Sequence, residues 1–340
     1  MASPNAIKTQ PVGVVGLGHY VPEKIVTNKE LEKTVDTTDE WIRARTGIHE
    51  RRMAAAEECS SDLGVRAARL ALEDAGITAE QLDLVVVGTM TPDTPMPATA
   101  CLISHKLGAT NAGAFDVSVA CSGFAYSLAV GAQFISTGAL RYVLVVGADT
   151  MTRVMNWKDR STCVLFGDGA GAVVLGRVDE GQGILSYHLG ADGSGGPHLR
   201  IPAGGGAQPG GTEGLTKADY SLQMNGKEVY RFAVSALGEA AVAAVEKAGL
   251  TSEDVDLFIP HQANMRIIRS AAKRLGVPDE RVFINLEKYG NTSCASIPLA
   301  LSEARDQGRL KPGDLVVLVG FGGGLAWGAV ALRWTGGARG

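Results

Sequence analysis

Apolar runs of strand length alternate with amphipathic stretches along most of the chain. The strand-like runs are VGVVGLG within Pro11–Val21, LDLVVVGT at 82–89, YVLVVG at 142–147, GDGAGAVVLG at 167–176, VDLFI at 255–259 and LVVLVG ending at Gly320. Continuous apolar strands bounded by turn residues are those buried on both faces of a parallel sheet. Between them, Ser60–Ala75 repeats apolar residues at helical spacing behind a serine and aspartate start, and Phe124–Thr137 does so without a formal charge. A further helix is predicted from Thr38 or Asp39, with acidic residues in its first turn, and another from Met265.

The pattern then repeats. ALEDAGITAEQLDL at 71–84 resembles AVEKAGLTSEDVDL at 244–257, so that Ala75 falls on Ala248, a shift of 173 residues. The same shift carries the strand ending at Gly147 onto the one ending at Gly320, and Cys121 onto Cys294. One βαβ-rich half used twice predicts an α/β body of layered sheets and helices with pseudo-twofold symmetry. The halves are expected at residues 1–180 and 181–340. Gly190–Gly214, with ten glycines and three prolines and no periodicity, reads as a loop near their junction, either a plain linker or a wall over a site.

Composition narrows the class. At 340 residues the chain buries a large core, and a net charge of -4 supplies no overall basic field for nucleic acid. Met1–Gln10 lacks the apolar centre of a signal peptide, which predicts a polar tail and a cytoplasmic protein. The uncharged stretch 117–140 is too rich in Ser, Thr, Gly, Tyr and Gln to span a membrane. Five cysteines (59, 101, 121, 163 and 294) without a C-x-x-C pair predict neither a zinc site nor a disulfide framework.

Cys121 has the most pointed setting, where a strand hands over to a helix. Unpaired N–H groups and the dipole there favour a thiolate, and the small neighbours Ser122 and Gly123 leave room for a carbonyl carbon. The plainer reading is a buried structural cysteine. His261 ends a predicted strand, where α/β folds place functional groups, although a lone histidine is more often structural. Asn291 lies in the repeat counterpart of the Cys121 turn, as an amide donor or a simple turn residue. Gly320–Gly324 lacks the Lys-Ser/Thr of a phosphate loop and fits backbone donors aimed at an oxyanion. Trp41 and Arg45, four apart, share a helix face suited to a nucleotide base and phosphates, or form a plain surface pair. Gly16-x-Gly18 lacks the third glycine of a dinucleotide fingerprint.

From EWIRARTGI through DVSVACSGF, FGDGAGAVVL, PHQANMRII and YGNTSCASIP to GFGGGLAWG, the chain resembles the type III β-ketoacyl-acyl-carrier-protein synthases of the thiolase superfamily. That resemblance implies a thiolase-like duplicated fold and a condensing enzyme that starts fatty acid synthesis. Acyl-coenzyme A and malonyl-acyl carrier protein would be its substrates, with no cofactor and no metal. It further implies Cys121 as nucleophile, His261 and Asn291 as decarboxylation residues, and the N–H groups of Cys121 and Gly323 as oxyanion donors. Phe321 would lie beside the malonyl carboxylate, and Trp41, Arg45, Arg160 and Asn264 would contact coenzyme A. Arg231, Arg266, Lys273 and Arg274 would meet the acidic carrier protein, and Arg266 and Lys273, seven apart with Arg269 between them on one helical face, suit that role. Met96 stands where relatives often have phenylalanine at the far end of the acyl pocket, contributed across a homodimer. Its flexibility leaves primer length open, as well as a condensing or acyl-transfer role in a secondary pathway with another acceptor. A non-catalytic thiolase-fold binding partner is the reading from another class.

Overall fold

The computed structural model describes residues 9–336; the first eight residues of the predicted tail lie outside them. Strand β1 (Val12–Tyr20) is followed by β2 (Lys24–Thr27), α1 (Asn28–Leu31), α2 (Asp39–Thr46), β3 (Glu50–Met53) and α3 (Ser60–Ala75). Next come β4 (Leu84–Gly88), α4 (Thr99–Leu107), β5 (Gly113–Val117), α5 (Gly123–Ser136), β6 (Val143–Thr150) and β7 (Asp168–Arg177). The remainder comprises β8 (Gly183–Ala191), β9 (Leu199–Arg200), β10 (Gln223–Met224), α6 (Gly226–Lys247), β11 (Leu257–Pro260) and α7 (Met265–Leu275). It ends with α8 (Leu286–Tyr289), α9 (Ser296–Asp306), β12 (Leu315–Gly322) and β13 (Ala326–Arg333).

Two sheets carry the fold. One has the order β1-β7-β6-β4-β5 and the other β11-β12-β13-β8. Pairing is parallel where β4 meets β5 and β6, and where β11 meets β12; β1, β7, β8 and β13 run antiparallel to their neighbours. The apolar β4 and the mostly apolar β6, which ends in Asp149 and Thr150, are buried throughout because helices cover both faces. Helices α5 and α9 share one apolar cluster with residues of both sheets, including Phe124, Leu128, Ile297 and Leu301, and so form the central layer. Helix α3 closes the outer face of the first sheet, and α6 and α7 that of the second. The duplicate reading is visible in detail: β4 starts at Leu84 and β11 at Leu257, and α5 starts at Gly123 and α9 at Ser296, each pair 173 apart.

Local chemistry explains the element ends. Thr38 accepts from the Trp41 N–H and caps α2, and Gly47 ends it at φ 84°. Gly16 and Gly18 have a packing role: added Cβ atoms would come within 2.2 Å of the Ala71 carbonyl and 2.5 Å of the Ala67 carbonyl, so α3 lies directly on β1. Gly190–Gly214 is not wholly irregular, since part of it forms β9, which pairs with β10.

Candidate active site

The two halves meet at two matching turns. Val117 leads through a single 3-10 turn, Ala120–Ser122, into α5; Thr292 leads through Ser293–Ala295 into α9. The residue before each cysteine is left-handed, Ala120 at φ 46° and Ser293 at φ 52°. Such non-glycine residues are uncommon and cluster where a surrounding structure holds a side chain in a functional position. Cys294 turns into the packing and its Sγ lies 2.9 Å from the Ala120 carbonyl, whereas Cys121 opens onto a cavity. That cavity is lined by Cys121, His261, Asn291, Phe321 and Gly323, with Met90 also on its wall.

The histidine is placed by β11. Its N–H bonds the Val319 carbonyl at 2.7 Å, fixing the strand end beside β12, and Nδ1 lies 2.5 Å from Ser296 Oγ. Phe321, in β12, presents its ring to the imidazole at 66°, with centroids 5.8 Å apart. Burial pushes the His261 pKa from 6.5 down to about 3, so the imidazole is neutral at physiological pH. Asn291 is held by the other half: its N–H bonds the Leu165 carbonyl at 2.8 Å, and its carbonyl accepts from the Gly167 N–H at 3.0 Å. Its side-chain Oδ1 accepts from the Ser293 N–H at 2.8 Å, which leaves the NH₂ end to face the cavity.

One expectation is overturned. Cys121 does sit at the entrance to α5, yet its thiol is not a standing thiolate. Burial pushes its pKa up to about 12, with the Asp149 charge adding to the rise and a Ser293 hydroxyl 3.4 Å away only partly offsetting it. Desolvation outweighs the helix terminus because Cys121 is only 8% exposed.

Backbone crowds the Cys121 turn. The end of β12 runs along the Cys121 turn so closely that a Cβ on Gly322 would lie 2.5 Å from the Cys121 nitrogen, and one on Gly320 would lie 2.9 Å from its carbonyl. Only glycine permits that approach. At the mouth, Asn264 lines the cavity, caps α7 by accepting from the Arg266 N–H, and donates to the Arg45 carbonyl at 3.0 Å. Trp41 lies under two guanidinium groups, Arg45 at 5.0 Å and Arg160 at 5.4 Å from the ring centre. Outside, α7 exposes Arg266, Arg269, Lys273 and Arg274 opposite a buried face of Ile267, Ile268, Ala271 and Leu275; Arg231 is exposed on α6 and paired with Glu228.

Met96 is not brought to the cavity of its own chain. It is 85% exposed, on the loop after β4. Four residues around the site escaped the sequence: Met90, Asp149, Ser293 and Ser296. Asp149 is fully buried at the end of β6, and its carboxylate accepts from the Met90, Thr91 and Cys294 N–H groups at 2.7, 3.0 and 2.9 Å, tying the Cys294 turn to the loop after β4. A lone carboxylate directly after an apolar strand was the available signal.

A cysteine, a neutral histidine and an amide converging in one cavity of a duplicated α/β fold define a ketosynthase of thiolase-like architecture. Family models described as 3-oxoacyl-[acyl-carrier-protein] synthase III match residues 115–193, and its C-terminal counterpart matches 245–334. A β-ketoacyl-[acyl-carrier-protein] synthase III of Symbiobacterium thermophilum is 56% identical over 96% of this chain and 99% of its own length. The crystal structure of 3-oxoacyl-[acyl-carrier-protein] synthase III from Aquifex aeolicus superposes with TM-score 0.89 at 46% identity, covering 95% of this chain and 100% of that one. The priming β-ketosynthase of the R1128 polyketide pathway gives 0.92 at 42% identity, covering 97% and 98%. The chain belongs to the β-ketoacyl-[acyl-carrier-protein] synthase III family.

Proposed function

We propose that this chain takes an acyl group from acyl-coenzyme A onto Cys121 and condenses it with malonyl-acyl carrier protein, releasing carbon dioxide and a β-ketoacyl carrier protein as fatty acid synthesis begins. In the first half-reaction the Cys121 sulfur attacks the thioester carbon. The carbonyl oxygen is received by the N–H groups of Cys121 and Gly323, and the thiol proton ends on the sulfur of departing coenzyme A. In the second, His261 and Asn291 donate to the malonyl thioester oxygen, stabilising the enolate left when the carboxylate departs as carbon dioxide. That carbanion attacks the acyl carbon, and the Cys121 sulfur leaves. Phe321 supplies an apolar wall beside the malonyl carboxylate, a setting that favours conversion of a charged group into a neutral gas.

The observation that carries this reading is the shared cavity of Cys121, His261 and Asn291, with the imidazole held neutral by burial. The Trp41, Arg45 and Arg160 cluster offers an aromatic plane and cations for the nucleotide end of coenzyme A, and Asn264 lies along the pantetheine path. The exposed cations of α7, with Arg231, offer a positive face to an acidic carrier protein. We further propose a cytoplasmic homodimer in which Met96, 85% exposed on the loop after β4, reaches the partner's acyl pocket. No bound cofactor enters either half-reaction, and among the described residues no helix is long and apolar enough to cross a membrane. The TM-score of 0.92 to a polyketide priming enzyme favours a second reading, priming of another carbon-chain pathway by the same chemistry.

The division of labour is tested by timing the half-reactions apart. His261→Ala and Asn291→Ala are expected to keep acylation by acyl-coenzyme A and lose malonyl decarboxylation by ~10²–10³. Equal loss of both steps would contradict the assignment.

A further inference from the structure

We propose that Ser296 is a positioning residue that fixes the tautomer of His261, placing the imidazole proton on Nε2. The inference rests on the donor role proposed above for His261. Ser296 is the first residue of α9, 2% exposed, and its Oγ lies 2.5 Å from His261 Nδ1. Two protonation patterns could make that contact: Nδ1–H donating to the hydroxyl, or the hydroxyl donating to a bare Nδ1. The neighbours decide between them. The Gln262 N–H, 3.4 Å from the same oxygen, can only donate, so it occupies an acceptor position on Ser296 Oγ. Among the described residues Ser296 Oγ has no bond other than these two. If Nδ1 carried the proton, the hydroxyl would accept twice and its own hydrogen would be buried without an acceptor, an uncompensated desolvation. With the hydroxyl donating to Nδ1, the Ser296 hydroxyl, Nδ1 and the Gln262 N–H are all satisfied, and the single imidazole proton sits on Nε2, free to donate.

The surroundings keep this arrangement rigid. Gln262 is itself pinned, its amide donating to the Pro260 carbonyl at 2.8 Å and its Oε1 accepting from the Asn285 N–H at 3.1 Å. Ser296 is also the repeat counterpart of Gly123, the first residue of α5, where no side chain exists to make such a contact. The duplicated turn thus acquired a hydroxyl in the half where a histidine has to be oriented. The same turn orients both donors, since the Ser293 N–H holds Asn291 Oδ1.

The test uses the full-length protein labelled with ¹⁵N at its six histidines, the His261 resonances being assigned by their loss in His261→Gln. The wild type is expected to show a pyrrole-type Nε2 and a pyridine-type Nδ1. In Ser296→Ala the two shifts should move toward a tautomer mixture, and decarboxylation should fall ~10²-fold with a much smaller loss in acylation. Ser296→Thr, which restores the hydroxyl, should recover the wild-type shifts. A protonated Nδ1 in the wild type overturns the proposal without any variant, and so does a Ser296→Ala protein that retains both the Nε2–H signature and full condensation. Failure of the donor role itself is distinguishable: His261→Ala would then keep decarboxylation while the wild-type tautomer stayed as described.

Discussion

Adding one methyl group at Gly322 should disable the oxyanion site while leaving the fold in place. The Cβ of Gly322→Ala would meet the Cys121 nitrogen at 2.5 Å and the Ala120 Cβ at 2.6 Å, whereas ordinary contact begins at 3.4 Å. Backbone, not a flexible side chain, stands in the way, so β12 and the Cys121 turn must part by about 1 Å, a misplacement that typically lowers rate about 100-fold. Gly322 has no left-handed φ, so alanine meets a packing conflict and no torsional one. The assay is the rate of Cys121 acylation by acyl-coenzyme A, followed by intact mass, beside a thermal melt. The expected outcome is a fall of ~10² in acylation with the cooperative unfolding transition kept. Acylation at the wild-type rate would refute the claim that the close approach of β12 to Cys121 builds the oxyanion donors.

The raised pKa of Cys121 makes a pH prediction. Below its value of about 12 the free thiol is protonated, so its alkylation by iodoacetamide should rise roughly tenfold per pH unit between pH 6 and 9 without a plateau. A plateau below pH 8 would show that the helix terminus prevails over burial. Cys294→Ala should keep both half-reactions, since its sulfur faces the Ala120 carbonyl inside the packing; the expected stability loss is about 1 kcal/mol by chemical denaturation.

The layered fold was legible because the repeat and the buried strands are local signals. The shift of 173 residues linking Ala75 with Ala248 also links the starts of β4 and β11. The helix at Ser60–Ala75 and the one beginning at Met265 appear where apolar spacing and caps placed them. The constellation of Cys121, His261 and Asn291 was legible as motifs, and the cavity brings them together. What the sequence hid depends on groups far apart in the chain. The state of the Cys121 thiol is set by desolvation, which no nine-residue stretch reports. Asp149 and Ser296 act through hydrogen bonds to Cys294 and His261, spanning 145 and 35 residues, and as isolated polar residues beside apolar runs they carry no period. The glycine-rich segment concealed β9 because its partner β10 lies beyond Gly214. Gly16 and Gly18, which invite comparison with a nucleotide loop, are explained by the surface of α3.

The most direct test of the central claim is to incubate the protein with acyl-coenzyme A alone, omit malonyl-acyl carrier protein, and locate the trapped acyl group by peptide mass. The expected result is one acyl group per chain on the peptide containing Cys121, discharged as β-ketoacyl product when malonyl-acyl carrier protein is added, and none in Cys121→Ala. Undiminished condensation by Cys121→Ala, or an acyl group carried on another residue, would contradict it.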